Sequence, residues 1–555
     1  MPDLVDMEMD NSLQPLTLSC TVCSEIPDMV GMEMDDSLQP FTPPSTVCSK
    51  IPSEVEAMSK FAKIRLILLG VLLAFLSIFQ MGYSNAFPNT AISGFRDFLN
   101  ESFSPPNTLS ENEYNWIWSA ILNVYFIGFA AGSLLTVPIA DKIGRKSCLL
   151  LGNSLNLLSA FVSVASFHFA LPLLFFAYRF LFAVSAAISM NSLILLLQES
   201  SPPSIRGVMS FNAEMSFVVM NLAGGIAGMK SFWGQNLFAL LTFPCLIIFC
   251  SIIVVLFYHE SPKFLLLCKN NVEASRKSLK FYQRLENESL DYAISKIEEE
   301  NKVKKNSEVK KSSLKELLTN RGYLKGFILG VMTLHVTLSL WPMLYYSTEF
   351  LTRANISNET AELMSNVMLF VSSFSTLLGM FIVESLPRRF LLLSTAVVNV
   401  SSVLFFSLFA HFQYLWDPLK YGCIIALIVW GLSYSIALGP IAWFLTAELV
   451  PLDVRAAAVS LSLCINQLTA LIFCFVTLPL YSAFGALVLI PLFVLPPVAI
   501  IIILFFQLPE TRNREIVDII RDLTSGAKRN TIRMSVLEQE SHARDNKCYM
   551  LHRSP

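Results

Sequence analysis

The chain has 555 residues, of which 54% are hydrophobic and only 15% are charged, and its formal net charge is −2. This composition is more apolar than that of ordinary soluble domains, so a cytosolic enzyme is not expected and a membrane protein with many apolar helices is favoured. The nearly balanced charge excludes the strongly basic surface that is typical of nucleic-acid-binding proteins.

Residues 1–58 form an acidic segment rich in Pro, Ser and Met. The segment lacks the basic start and the short apolar core of a secretory signal. Within it, the sequence Met7–Pro15 recurs as Met32–Pro40, a tandem repeat with a period of 25 residues. Because two copies cannot bury a continuous core, we predict a disordered cytoplasmic tail rather than a solenoid.

From Ile64 onward, apolar runs long enough to span a bilayer recur along the chain. Twelve spans are predicted, near 64–84, 116–140, 148–168, 171–197, 208–230, 236–258, 324–346, 362–383, 390–412, 420–446, 456–480 and 483–506. They fall into an N-terminal half (59–258) and a C-terminal half (324–506), separated by a linker (259–323) with fourteen Lys and Arg residues. The linker is predicted to form short cytoplasmic helices, and residues 507–555 to form a cytoplasmic tail.

The distribution of Lys and Arg predicts the orientation of the chain in the membrane. Basic residues concentrate in the loops that follow the even-numbered spans, which places those loops and both termini in the cytoplasm. Three glycosylation sequons, at Asn100, Asn355 and Asn358, then fall on the outer side. Outer sequons favour passage through the secretory route and residence in the plasma membrane.

Four short charged motifs lie at the predicted cytoplasmic ends of spans, and they form two matched pairs. Residues 141–146 after span two and 384–389 after span eight each set an acid four residues before a basic pair. Residues 199–206 after span four and 448–455 after span ten each set an acid seven residues before an arginine, with proline between. This matched spacing predicts that the two halves are structural repeats.

With these motifs, residues 64–520 resemble the sugar porter family of the major facilitator superfamily, most closely its facilitative glucose transporters. Further motifs support the resemblance: Tyr178–Phe180, His259–Leu265, Gly439–Phe444 and Leu508–Thr511. The resemblance implies an all-α membrane protein of twelve helices in two six-helix repeats. It also implies alternating-access uniport of a hexose, such as glucose or fructose, or of a similar small polar solute, without enzymatic chemistry, cofactor or metal.

The resemblance implies two groups of site residues. Cytoplasmic charges would form a salt-bridge network between the two halves, namely Arg145, Glu199, Arg206, Glu260, Glu384, Arg388, Arg389, Glu448 and Arg455. Partly exposed bridges worth about 0–1 kcal/mol each can break in every cycle. A midplane pocket would bind the solute through Trp443, Asn466, Glu214, His335, Trp341 and Gly439.

Several pocket positions leave alternatives open. Glu214 replaces a glutamine of the family. It is either a protonatable substrate or coupling site, or a carboxyl that is protonated or paired with His335 and does not titrate during transport. His335 is either a buried imidazole whose hydrogen bonds are formed within the protein or a polar, pH-sensing group. Trp341 fits bulk packing at a helix break better than contact with the solute. Ser84 stands where proton-linked relatives carry an aspartate, which favours uniport.

The same residues leave three other functions to consider. One is a proton-coupled or organic-anion carrier of the same fold that uses Glu214 and His335. Another is a non-transporting sugar sensor, supported by the divergent pocket and the duplicated tail. An enzyme is disfavoured because no nucleophile elbow, HExxH or phosphate-binding glycine loop occurs in context. The expected partners are a sugar-like solute and the lipid bilayer, with no nucleic acid, and the sequence assigns no partner to the tails.

Overall fold

The structure is a computed structural model, and it describes residues 59–103, 109–202, 205–285, 287–307, 313–512, 514 and 516–525. In these ranges the regular elements are all helical. The predicted tail of residues 1–58 lies outside the described residues. Eleven of the described segments are long and apolar enough to cross a membrane.

The first six predicted spans are six long helices, with one additional short helix between the first two. The helices are α1 (Lys60–Thr90), α2 (Ile92–Phe103), α3 (Glu111–Ile143), α4 (Arg145–His168), α5 (Pro172–Ser200), α6 (Arg206–Ala227) and α7 (Leu237–Phe257). The short α2 was not predicted. Helix α6 is the one span absent from the eleven apolar segments, since it carries Asn212, Glu214 and Asn221.

The linker forms four helices, of which α10 is the longest, with 21 residues. They are α8 (Pro262–Leu267), α9 (Val272–Gln283), α10 (Asn287–Ser307) and α11 (Ser313–Thr319). Leu266 of α8, Leu279 of α9 and Leu290 of α10 are buried in a small apolar cluster of their own. Apolar packing therefore holds α8, α9 and α10 together.

The last six spans include three that are broken, and a further helix follows them. These helices are α12 (Arg321–Val336), α13 (Leu340–Arg353), α14 (Asn358–Ser385), α15 (Arg388–Phe412), α16 (Leu419–Ser433), α17 (Gly439–Leu449), α18 (Leu452–Phe484), α19 (Leu489–Phe493), α20 (Leu495–Gln507) and α21 (Ile516–Ser525). A π-helical segment, Tyr434–Leu438, joins α16 to α17. The break occurs just before Pro440, whose missing N–H cannot continue the α-helical ladder.

The two halves pack with matching geometry. Helix α3, the second span, packs against α18, the eleventh, while α6, the fifth, packs against α14, the eighth. Helix α1 also contacts α13 across the boundary between the halves. The boundary therefore runs along the centre of the bundle, where a solute site can receive side chains from both sides.

The crossing of α1 and α6 depends on two glycines. A Cβ on Gly224 would lie 2.3 Å from the carbonyl oxygen of Tyr83, and one on Gly82 would lie 2.5 Å from the Met220 Cβ. Small residues permit this close backbone approach, which is a main source of helix association in membranes. The Gly82–Tyr83 pair thus has a packing role.

Gly224→Val is expected to lower the melting temperature of the purified protein by several degrees, because overpacking at this crossing costs about 1–3 kcal/mol. Ala177→Val, which enlarges an exposed side chain on α5, is the control and should leave the melting temperature unchanged. Equal melting temperatures for the two variants would contradict the role of Gly224 in the crossing.

Candidate functional site

The helix bundle has two ends, which differ in the side chains that lie there. The end with the turn at residues 141–146 and the linker helices is called the charged end below. The end with α2 and the turn at residues 354–357 is called the opposite end. Between them, the two halves enclose a central cavity.

At the charged end of the first half, one arginine and two glutamates tie three helices together. Arg145 Nε lies 3.0 Å from a carboxylate oxygen of Glu199, at the end of α5. Glu260 accepts hydrogen bonds of 2.9 Å from the backbone N–H groups of Arg145 and Lys146, at the start of α4. The Ser261 hydroxyl donates to Glu199. A carboxylate at a helix N-terminus is stabilised by the free N–H groups and the helix dipole.

The second half repeats this arrangement. Arg388 forms an ion pair with Glu448, and the Thr511 hydroxyl donates to Glu448 at 2.7 Å. Glu510 accepts from the backbone N–H groups of Arg388 and Arg389 at 2.9 and 3.1 Å. Each half therefore has a closed cluster of an arginine, two glutamates and a hydroxyl.

Three members of these clusters were not predicted from the sequence: Glu510, Ser261 and Thr511. The signal was present, since a Glu followed by a hydroxyl residue occurs both after span six and after span twelve. Arg206 begins α6 and Glu384 lies near the end of α14, but their side chains are outside the described part of the structure.

The arrangement of the ion pairs differs from the prediction that they join the two halves. Arg145 and Glu199 both belong to the first half, and Arg388 and Glu448 both belong to the second. The half-buried Arg455 has an Nε without a hydrogen-bond partner among the described residues. Each ion pair therefore joins helices within one half.

The linker docks on the first half through α9. The His259 ring stacks on Phe281 with centroids 4.5 Å apart, and the Tyr282 hydroxyl donates to the His259 carbonyl at 2.6 Å. Arg65 of α1 donates to the Phe281 carbonyl at 2.7 Å. Burial lowers the pKa of the His259 imidazole, and the nearby Lys146 charge lowers it further.

Docking of α9 is expected to weaken as the pH falls below the ordinary histidine pKa of about 6.5. The undocked imidazole takes up a proton more readily than the docked one, so acid favours undocking and neutral pH favours docking. Hydrogen exchange of residues 272–283 should accelerate at pH 5.5 relative to pH 7.5, after correction for intrinsic rates. His259→Phe should remove this difference, and an unchanged difference would contradict the role of His259.

The central cavity receives side chains from both halves. Its lining residues are Glu214, Phe217, Val218, Asn221, Leu340, Leu344, Met368, Leu369, Ser372, Trp430, Tyr434 and Ser435. The first four come from α6, and the others come from the second half. The site is thus mostly apolar with a few polar groups, as is typical of small-molecule sites.

Of the predicted pocket residues, Glu214 lines this cavity together with Tyr434, whereas Trp443 is not among the lining residues. Trp443 lies one helical turn after Gly439 on α17. Gly439 does not itself line the cavity but makes room for this tyrosine, because a Cβ there would lie 2.6 Å from the Tyr434 ring. Tyr434 was not predicted as a site residue, since only the π-helical turn brings it to the cavity.

The other predicted pocket residues lie outside the cavity lining. His335 Nδ1 donates to the Val331 carbonyl at 2.8 Å, and Nε2 lies 3.0 Å from the Thr469 hydroxyl. His335 is therefore a hydrogen-bonded imidazole, and the pairing with Glu214 is not formed. Asn466 is 4% exposed, and its side-chain carbonyl has no hydrogen-bond partner in the described ranges.

Trp341 is buried in an aromatic cluster between the halves. Its ring lies 5.1 Å from that of Phe126 and 5.4 Å from that of Tyr125, both on α3. It also contacts Tyr345 of its own half, with centroids 5.7 Å apart. The packing interpretation of Trp341 therefore fits the structure better than solute contact.

Arg179 lies behind this cluster and is fully buried. Its Nη1 donates to the Ser84 carbonyl at 2.8 Å, and its Nη2 lies 3.5 Å from the side-chain oxygen of Asn85. The Tyr345 hydroxyl donates to the same oxygen at 3.1 Å. Asn85 therefore connects a cation of the first half to α13 of the second half.

At the opposite end, hydrogen bonds join α1 to α13. The Asn89 side chain donates to the Ser347 hydroxyl at 2.8 Å and accepts from the Thr348 N–H at 3.0 Å. The Asn123 side chain of α3 also donates to the Tyr346 hydroxyl at 3.3 Å, so each of the residues 345–348 contacts the other half.

Charged groups also join the halves at the opposite end. Arg353 of α13 lies 2.5 Å from Glu111 of α3 and 2.7 Å from Glu349 on its own helix. Glu362 of α14 accepts from the Lys230 N–H at 2.9 Å. The structure is therefore closed at this end of the bundle.

The predicted glycosylation sites all lie near the opposite end. Asn355 is in the turn between α13 and α14 and has a left-handed backbone with φ of 56°. Asn358 is the first residue of α14. Asn100 lies on α2, where its side-chain oxygen accepts from the Leu109 N–H at 3.1 Å.

Comparisons with known proteins agree with this geometry. The family model described as sugar (and other) transporter matches residues 69–523. The chain is 26% identical to mouse facilitated glucose transporter member 3 over 81% of this chain and 91% of the relative. It is 25% identical to mouse member 5, over 80% and 89% of the two chains.

Solved structures share the fold. The chain resembles the inward-open xylose transporter XylE from E. coli with a TM-score of 0.65 at 16% identity, over 82% of this chain and 99% of that one. A partially occluded inward-open form of the same transporter gives a TM-score of 0.64 at 18% identity, over 81% and 100%. The twelve-helix arrangement in two halves is therefore that of the major facilitator fold.

Proposed function

The chain belongs to the sugar (and other) transporter family, and from this we propose that it is an alternating-access carrier that moves a hexose, such as glucose or fructose, down its gradient. The observation that carries the proposal is the cavity between the halves, with Glu214 from one half and Tyr434 from the other. Rocking of the halves about this site would expose it to each side in turn.

We propose that the charged end faces the cytoplasm and that the protein resides in the plasma membrane with both termini inside. The excess of Lys and Arg at this end supports the orientation. Asn100, Asn355 and Asn358 would then be glycosylated on the outer side. The closed opposite end would be the outer end, so the conformation described here would open toward the cytoplasm.

Uniport is favoured over proton coupling by the surroundings of Arg179. Its nearest partners are the Ser84 carbonyl and the Asn85 amide, so no carboxylate at Ser84 is available to bind and release a coupling proton beside it. We propose that the cycle involves neither covalent chemistry nor a cofactor. The proton-coupled alternative retains Glu214 as the group that could titrate.

The proposed outer closure depends in part on the Glu111–Arg353 pair. Arg353→Glu is expected to change the initial rate of sugar uptake about threefold, since a partly exposed ion pair contributes up to about 1 kcal/mol to one conformation. The charge swap of Glu111→Arg with Arg353→Glu should move the rate back toward wild type. A swap that behaves like the single variant would contradict the pairing.

Uptake of radiolabelled glucose and fructose into proteoliposomes, at pH 5.5 and pH 7.5, tests the proposed function. The uniporter predicts saturable uptake at both pH values without an imposed proton gradient. Uptake that requires an inward proton gradient would favour the proton-coupled alternative. Failure to move either sugar, by protein shown to be folded and inserted, would leave the hexose proposal without support and favour another solute or a sensor.

A further inference from the structure

The central cavity contains one ionisable carboxyl group, that of Glu214, and a neutral hexose has no positive charge to balance it. Five of the twelve lining residues are polar, and Glu214 is the only acidic one, while none of the twelve is basic. Among the described residues, this carboxyl has neither an ion pair nor a hydrogen bond to the protein. Its oxygens are therefore available to a ligand.

Two basic groups on the membrane helices, Arg179 and His335, are engaged elsewhere. Arg179 is fully buried and donates to the Ser84 carbonyl. His335 is bonded on both ring nitrogens, to Val331 and to Thr469. Within the described part of the chain, neither of these groups pairs with Glu214, and no basic residue lines the cavity to balance an ionised carboxylate.

An isolated carboxylate inside a membrane protein is costly unless a cation or a proton accompanies it. The cavity also presents the aromatic rings of Trp430 and Tyr434, whose faces attract cations. Asn221, Ser372 and Ser435 add neutral hydrogen-bonding groups that suit hydroxyls. A carboxylate, two aromatic rings and neutral polar groups in one cavity match a ligand that combines an ammonium group with hydroxyls.

We propose that the central cavity selects solutes that carry an ammonium group beside hydroxyls, as an amino sugar does, with Glu214 as the counter-ion. This inference rests on the proposed function only in assuming that the central cavity is the solute site. It also disfavours organic anions as substrates, because a second negative charge beside Glu214 would be repelled in a site without a basic lining residue.

The experiment compares the binding of glucosamine and glucose to the purified full-length protein by isothermal titration at about pH 7, where the amine is largely protonated. The wild type is expected to bind glucosamine about tenfold more tightly than glucose. Glu214→Gln should weaken glucosamine binding about tenfold. Glu298→Gln is the control, because Glu298 is an exposed carboxyl on the linker helix α10 and takes no part in the cavity or in the contacts between the halves, and it should keep the preference.

Equal affinity of the wild type for the two sugars would overturn the inference, and so would a glucosamine preference that survives Glu214→Gln. Weaker glucosamine binding in both Glu214→Gln and Glu298→Gln would also overturn it, since the effect would then not be specific to the cavity. Sugar uptake by the wild type is measured separately. Uptake of glucose without a glucosamine preference would leave the proposed function intact and reject this inference alone.

Discussion

Replacing Trp443 with alanine is expected to reduce sugar uptake at least about tenfold, with the protein still folded in the membrane. The indole is partly buried on α17, one helical turn after Gly439, whose close approach to the Tyr434 ring shapes the cavity wall. Truncation removes a large ring surface, and a loss of about 1.5–3 kcal/mol of apolar contact corresponds to roughly a tenfold to hundredfold weaker site.

Trp416→Ala provides the control, because Trp416 is 63% exposed in the loop between α15 and α16. Initial uptake rates are compared after correction for the amount of protein in the membrane. Trp416→Ala should transport at the wild-type rate. If Trp443→Ala also keeps the wild-type rate, the solute does not bind beside Tyr434 and the assignment of the site is wrong.

Arg179→Ala is expected to reduce the yield of folded protein severely. The guanidinium lies within 6.0 Å of the ring centroids of Tyr125, Phe182 and Tyr345, and it donates to the Ser84 carbonyl. Truncation leaves a void that costs about 2–5 kcal/mol and a buried carbonyl without its donor, which costs about 1–3 kcal/mol more. These costs exceed the gain from removing a buried charge.

Arg179→Met separates the packing role from the role of the charge. Methionine fills much of the same volume, and apolar replacements of buried charges are often tolerated, so this variant should fold. Its uptake should fall severalfold, because Asn85 no longer has the guanidinium that holds it toward Tyr345. Equal stability of the Ala and Met variants would exclude the packing role, and normal uptake by the Met variant would exclude the coupling role.

Much of the membrane domain could be predicted from the sequence, because hydropathy alone determines which segments enter a bilayer. The run of residues 148–168 was predicted as a span and is part of α4. The span at 420–446 was also predicted, but the π-helical turn at Tyr434–Leu438 within it was not. That turn depends on side-chain packing, including the contact of Gly439 with the Tyr434 ring, which one sequence does not display.

The charged motifs, too, could be predicted only in part from the sequence. Their matched spacing predicts that each half has an equivalent cluster, and the structure has them around Arg145 and Arg388. The partners of these arginines depend on how the helices meet in one conformation, and spacing along the chain carries no such information. For the same reason, the role of Asn85 between Arg179 and Tyr345 could not be predicted.

The most direct test of alternating access is counterflow of glucose in proteoliposomes. Vesicles are loaded with unlabelled glucose and diluted into a trace of labelled glucose, and the internal label is followed over time. A carrier whose single site faces each side in turn predicts a transient accumulation of label above its final level, because internal sugar returns the site to the outer side. Label that rises only to equilibrium, or not at all, in vesicles with folded protein would contradict the account.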